Sequence, residues 1–480
     1  MRVDTEPRGG VWAGLALATC LISATSVAGS SDLRLVEAVK HRDAQAVSAL
    51  LTEVDVNTRA PDGATALLWA AQWDDLQTAD VLIRAGAQVD AANDYGVTPL
   101  SLAATNGSTA MVERLLDAEA DPNAALASGE TVLMTAARTG RLDTVKALLA
   151  GGANVHGTER VRGQTALVWA LSERHLDVAE ALVAHGADVR GRTTSGYTPL
   201  LFATRQGDLD AVQMLLAHGA DVNETASDGT SVLHMATVRG HLGLVEFLLD
   251  EGADANATGT GYTPLHWAAG TWETATTRDY SVGEWRTLAG LPAEEKTRLL
   301  AALLTHGANP NAQTTKNPPR LGSSAWKING GGSAIGATPF FFAAMTGDVD
   351  VMRLLLESGA DPLIATNAGT TPLLGAAGLA VEESETQVPE QQHLDAVKML
   401  VDLGGDIHAA NDQGNTALHG AAFLGYDTIV QFLVDEGVEL NARNTIGQTP
   451  YTIASGIEVT MMFFKQPSTE VLLREMGGVE

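Results

Sequence analysis

The chain alternates short apolar segments and polar segments in one recurring order. Residues 198–206 show the first part of the order, because Thr198 offers an N-cap and Pro199 suits the first helical position of a short apolar helix. After a turn at Gly207, the apolar positions of 211–216 recur at helical spacing and predict a second helix. Gly219 then suits a left-handed C-cap, and a turn-rich segment follows up to the next threonine. The pattern predicts pairs of antiparallel helices joined by extended turns.

The same order returns along nearly the whole chain. The glycines that precede each helix-start threonine lie 32 to 34 residues apart, with two longer intervals of 75 and 45 residues. They are Gly63, Gly96, Gly129, Gly163, Gly196, Gly229, Gly261, Gly336, Gly369, Gly414 and Gly447. A fixed period of this length indicates a solenoid of stacked units rather than several globular domains.

The repeated unit resembles the ankyrin repeat. Thr263-Pro264-Leu265-His266 and the Gly-Ala-Asp-Val-Asn segment that runs from Gly219 to Asn223 match its two most typical motifs. The resemblance covers about residues 32–478 and implies an all-α solenoid of about twelve helix-turn-helix units with β-turn fingers. It also implies a non-catalytic scaffold that binds proteins on its concave face, here expected to be of the secreted or periplasmic bacterial type.

The N-terminal segment predicts export. A 12-residue apolar run at 11–22 is too short to span a membrane and is followed by small residues, with Ser26-Val27-Ala28 suited to signal peptidase. We expect cleavage after Ala28 and a periplasmic or secreted protein, although the acidic residues at 4 and 6 are atypical and an uncleaved chain would be a cytoplasmic scaffold. Lipidation at Cys20 is a poorer alternative, because threonine precedes this cysteine.

These boundaries divide the chain into five parts. They are a signal peptide at 1–28, an N-terminal capping repeat at 29–62, regular repeats at 63–260, a repeat with long insertions at 261–335, and repeats at 336–480 that include a loop at 381–392 and a C-terminal cap. The insertion carries Trp272, Trp285 and Trp326. Three tryptophans in loops either fold back on the repeats or wait for a partner.

The composition of the chain restricts the classes of partner that it can bind. Lys and Arg total 30 against 58 for Asp and Glu, which gives a net charge of −28 and argues against nucleic acid and anionic membrane surfaces. No nucleophile elbow, phosphate loop or zinc-protease motif is present, so we expect no enzyme, no cofactor and no metal.

The histidines of the chain are expected to be structural. His185 and His218 fit helix C-termini, and His234, His266 and His419 fill a structural position of the repeat. Asp250, Asp254 and Asn256 superficially suggest a calcium site, but Asp-x-Asn recurs in this chain as the start of a finger. We expect a monomer.

Two groups of residues are candidates for a protein-binding surface. In the family, the residue after the consensus histidine faces the groove. Here these positions form a mostly aromatic row, and aromatic side chains dominate protein interfaces. The alternative is that each side chain only packs under its own finger. The row consists of Trp69, Leu102, Thr135, Trp169, Phe202, Met235, Trp267 and Phe342. Arg160 and Arg162 lie in one finger and Arg190 and Arg192 in the next, where they would attract an acidic segment of a partner.

The leading hypothesis is therefore an exported protein-binding scaffold. The alternatives are a ligand-binding protein or enzyme whose site is built by the tryptophan-containing insertion at 270–335, and a protein that neutralises a strongly basic partner.

Overall fold

The computed structural model describes residues 32–270, 292–317, 333–379, 389–459 and 462–480, and within them the chain forms twelve helix pairs. We number these pairs as units 1 to 12. The first helices are Arg34–Lys40, Ala66–Gln72, Pro99–Asn106, Val132–Thr139, Ala166–Ser172, Pro199–Gln206, Val232–Val238, Pro264–Ala269, Pro339–Met345, Pro372–Ala376, Ala417–Leu424 and Pro450–Ser455. The second helices are Ala44–Leu50, Leu76–Arg84, Thr109–Asp117, Leu142–Ala150, Leu176–Ala184, Leu209–Ala217, Leu242–Asp250, Ala293–Thr305, Val349–Glu357, Glu390–Asp402, Asp427–Asp435 and Pro467–Glu475.

Local signals set the ends of these helices. In unit 3, the Thr98 hydroxyl accepts from the backbone N–H of Ser101 at 3.1 Å, and Pro99 occupies the first turn. Gly107 ends the helix with a φ of 67°, a left-handed conformation that costs glycine little. The threonine, proline and glycine signals of the repeat therefore act as helix start and stop signals.

The units stack in chain order. Each first helix packs on the first helices of its neighbours, and most second helices contact the second helix of the next unit. The alanines and leucines between them form one continuous core from Leu35 to Leu473. This confirms the predicted all-α solenoid of about twelve units.

The structure corrects two details of the sequence interpretation. The predicted loop at 381–392 ends earlier than expected, because residues 390–392 already form the first turn of a 13-residue helix, Glu390–Asp402. In unit 12, the strands Ile457–Val459 and Met462–Phe464 pair antiparallel between the two helices, a hairpin that the helical pattern does not predict. The predicted signal peptide, with Cys20, lies outside the described residues. So do Trp272, Trp285 and Trp326.

Neighbouring fingers are joined by a recurring asparagine clamp. The side chain of Asn223 donates to the carbonyl oxygen of Gly252 at 3.1 Å, and its Oδ1 accepts from the backbone N–H of Asp254 at 2.7 Å. We use the term clamp for this pair of bonds. It recurs at Asn57, Asn123, Asn256, Asn311 and Asn441.

The clamp is incomplete where another residue type takes the asparagine position. Asp90 keeps only the acceptor half, since it accepts from the N–H of Asp121 at 2.9 Å. The other replacements are His156, Arg190, Leu363 and His408.

Among the described residues, no helix is long and apolar enough to cross a membrane.

Candidate protein-binding surface

The predicted row along the first helices divides into two parts. Trp69, Leu102, Trp169 and Phe202 are half-buried and keep part of their surface open to solvent. Thr135, which lies between them, is buried and its hydroxyl donates to a carboxylate oxygen of Glu130 at 3.0 Å. The accessible part of the row therefore lies in units 2 to 6.

The C-terminal members of the row belong to the core. Met235, Trp267 and Phe342 are only 1%, 2% and 0% exposed. The ring of Trp267 lies edge-on to Tyr262 at 5.2 Å, and Phe342 contacts His266 at 6.0 Å between ring centroids. These three side chains therefore have almost no accessible surface in this structure.

Two cations of the first unit lie against aromatic rings at the N-terminal end of the accessible row. The rings of Trp69 and Trp73 stack with centroids 6.0 Å apart. The Lys40 ammonium lies 5.4 Å from the Trp69 ring, and the Arg42 guanidinium lies 4.9 Å from the Trp73 ring. Trp73 is 39% exposed. The sequence interpretation missed it, although residues four apart share one helix face and the spacing from Trp69 points to it.

Two further aromatic contacts continue the same face. The Arg138 guanidinium lies 5.5 Å from the Trp169 ring, and Phe202 packs against Tyr197 at 5.9 Å. Cations held against aromatic rings lose less side-chain freedom when a partner binds. The face of units 1 to 6 thus combines fixed aromatic rings with positioned cations, in a chain of net charge −28.

The four finger arginines are exposed, and three of them also tie fingers together. Arg160 donates to the carbonyl oxygen of Ala127 at 3.2 Å, which lies in the preceding finger. Arg192 donates to the carbonyl oxygen of Thr225 at 2.6 Å in the following finger. Arg190 and Arg192 line one open cleft, whereas Arg160 and Arg162 do not line it. Arg190 and Arg192 therefore share one cleft.

The histidines are structural, as predicted. His266 Nε2 donates to the carbonyl oxygen of Ala337 at 3.1 Å, and its Nδ1 lies 2.8 Å from the Thr263 hydroxyl. His234 makes the corresponding bond to the carbonyl oxygen of Tyr262 at 2.7 Å. Burial lowers the pKa of both His234 and His266 to about 4, so both are neutral near pH 7. His419 repeats this arrangement with the carbonyl oxygen of Gln448.

The two histidines at helix ends also match the prediction. His185 and His218 each contact the carbonyl oxygen four residues earlier, at 2.8 Å. Across the described residues no group of three or more His, Cys, Asp or Glu side chains is placed to hold a metal ion. Asp254 and Asn256 are part of the clamps.

Comparison with known families agrees with this geometry. A model of ankyrin repeats in three copies matches residues 35–125, 133–226, 200–275 and 388–459, which together are more than half of the chain. A model of ankyrin repeats in many copies matches residues 102–149, and a single-repeat model matches 335–367. No curated protein matches the chain. The repeat, the stacked helix pairs and the family models together show that the chain belongs to the ankyrin-repeat family.

Proposed function

We propose that this protein is a non-catalytic scaffold that binds a protein partner through the exposed first-helix face of units 1 to 6. Ankyrin repeats are generally protein-interaction modules. The observation that carries the proposal is the row of partly exposed aromatic rings on this face, with the stacked pair Trp69 and Trp73 at one end. Large aromatic anchors contribute most of the binding energy in protein interfaces.

The test is affinity capture with the full chain and a variant that carries Trp69→Ala, Leu102→Ala and Phe202→Ala. A matched control removes exposed apolar side chains elsewhere, at Tyr95, Leu209 and Ile446. Thermal unfolding establishes that all three proteins are folded. A partner that the native chain and the control retain, and the first variant loses, supports the proposal. Equal retention by all three proteins, or retention by none, contradicts it.

We also propose that the scaffold acts outside the cytoplasm, in the periplasm or after secretion. The support is the apolar run at 11–22 followed by Ser26-Val27-Ala28. Expression of the full chain in a bacterium and N-terminal sequencing of the product test this proposal. A chain that begins at Gly29 supports export, whereas an intact N-terminus in the cytoplasmic fraction favours the cytoplasmic scaffold.

A further inference from the structure

The clamp is interrupted in two consecutive fingers, at His156 and at Arg190. Arg190 preserves the donor half, since its Nε donates to the carbonyl oxygen of Gly219 at 2.5 Å. A guanidinium has no acceptor atom, so the acceptor half is missing. Among the described residues the backbone N–H of Asp221 has no acceptor, whereas Asn223 Oδ1 accepts from the equivalent N–H of Asp254 at 2.7 Å.

Clefts open at both interruptions. The cleft beside Arg190 has a volume of about 820 Å³, and the one beside His156 has a volume of about 140 Å³. The larger cleft is lined by Arg190, Arg192 and the segment 220–225. Arg192 is held in place by the carbonyl oxygens of Gly196 and Thr225. Each guanidinium carries five N–H donors, and these contacts leave several of them open to a ligand.

The cleft also contains acidic groups, which restrict what fits. Glu224 is 8% exposed and accepts a hydrogen bond from the Thr198 hydroxyl. One carboxylate oxygen of Asp221 accepts from the backbone N–H of Asn223 at 2.9 Å. Glu251 lines the cleft at the end of the second helix of unit 7. A ligand that carries only negative charge would be attracted by the two arginines but repelled by these carboxylates.

We propose that this cleft binds a segment of a protein partner that carries a carboxylate beside an ammonium or guanidinium group. The carboxylate replaces the missing asparagine oxygen, accepting from the Asp221 N–H and from Arg190 and Arg192. The neighbouring cation lies against Glu251. The site rests on the proposed scaffold function, because it states the chemistry of a second contact with a partner, on the finger side rather than on the first-helix face.

The direct test uses the full chain labelled with ¹⁵N-aspartate and the peptide acetyl-Gly-Glu-Lys-Gly-amide. We expect a saturable shift of the Asp221 amide signal, with the clamped Asp254 amide as the internal control. Because charge-assisted hydrogen bonds are lost, the peptide with Gln in place of Glu is expected to bind about tenfold more weakly. Equal shifts at Asp221 and Asp254, or equal affinity for the two peptides, would overturn the proposal.

A variant that completes the clamp separates binding from stability. Arg190→Asn supplies both the donor and the acceptor, so we expect an equal or higher melting temperature together with loss of the Asp221 shift. Peptide binding that survives in Arg190→Asn rejects the cleft. If the first-helix variant alone abolishes partner capture and the cleft fails both tests, the proposed scaffold function stands without this second contact.

Discussion

The side-chain amide of Asn256 donates to the carbonyl oxygen of Gly307 at 2.8 Å, although 51 residues separate them. In the preceding finger Asn223 makes the same bond to Gly252, only 29 residues away. The insertion therefore leaves the registration of the fingers unchanged. Stacking geometry, rather than distance along the chain, determines which groups meet.

Removal of a complete clamp should destabilise the solenoid. Asn311→Ala loses a donor bond of 2.9 Å to Gly359 and an acceptor bond of 2.7 Å from Asp361. We expect a loss of about 1–2 kcal/mol in the free energy of unfolding, measured by urea titration. His408→Ala is the matched control at an incomplete clamp, and an equal loss there would show that the clamp is not responsible.

Completion of a missing clamp should stabilise the solenoid. Leu363 holds the clamp position, is 50% exposed and leaves the donor and acceptor bonds unmade. Leu363→Asn should raise the free energy of unfolding by about 1 kcal/mol. Leu363→Ala removes the same side chain without adding hydrogen bonds, and equal stability of the two variants would refute the prediction.

Acid should lower the stability of the folded chain, because two of its histidines are buried in the neutral form. The unfolded imidazole takes up a proton below about pH 6.5, whereas the pKa of His234 and of His266 is lowered to about 4 in the folded chain. The unfolded state therefore binds more protons between these values, and stability falls as the pH drops from about 6.5 to about 4. The expected loss is about 3 kcal/mol for each histidine.

Urea midpoints at pH 7.5 and pH 4.5 measure this effect. The double variant His234→Gln and His266→Gln should show a smaller difference between the two midpoints than the native chain. His218→Gln, at an exposed helix end, is the control and should keep the native difference. The same pH dependence in all three proteins would mean that the buried histidines do not cause it.

The two parts of the first-helix row should respond differently to truncation. Phe342→Ala removes a fully buried ring and should cost about 3–5 kcal/mol of stability. Phe202→Ala, in the same position of unit 6, should cost less because this ring is half-buried. Comparable losses in the two variants, measured by urea unfolding, would contradict the division of the row.

The sequence was sufficient to predict the fold because its signals are local. From unit 2 onwards each first helix begins after a threonine or serine, six of the first helices start with a proline, and glycines with positive φ recur along the chain. These signals specify helix ends without reference to distant residues. Exposure along the row could not be predicted in this way. Trp69 and Trp267 hold the same repeat position, but Trp267 is buried and lies edge-on to Tyr262, whereas Trp69 stacks on the exposed Trp73.

The interrupted clamps illustrate the same limit. Arg190 and His156 are visible as departures from asparagine, but a departure alone does not indicate whether a cleft opens. Clefts lie beside both positions, and they depend on the spacing between the fingers in the folded chain, which the sequence does not give.

The links between units also determine how much of the chain must be present before each unit can complete its contacts. Most of them join groups about 30 residues apart, so a unit needs only the next unit for its contacts. The bond from His266 to Ala337 spans 71 residues. The eighth unit therefore needs a stretch of chain more than twice as long as the other units do, and the first seven units can assemble before it is complete.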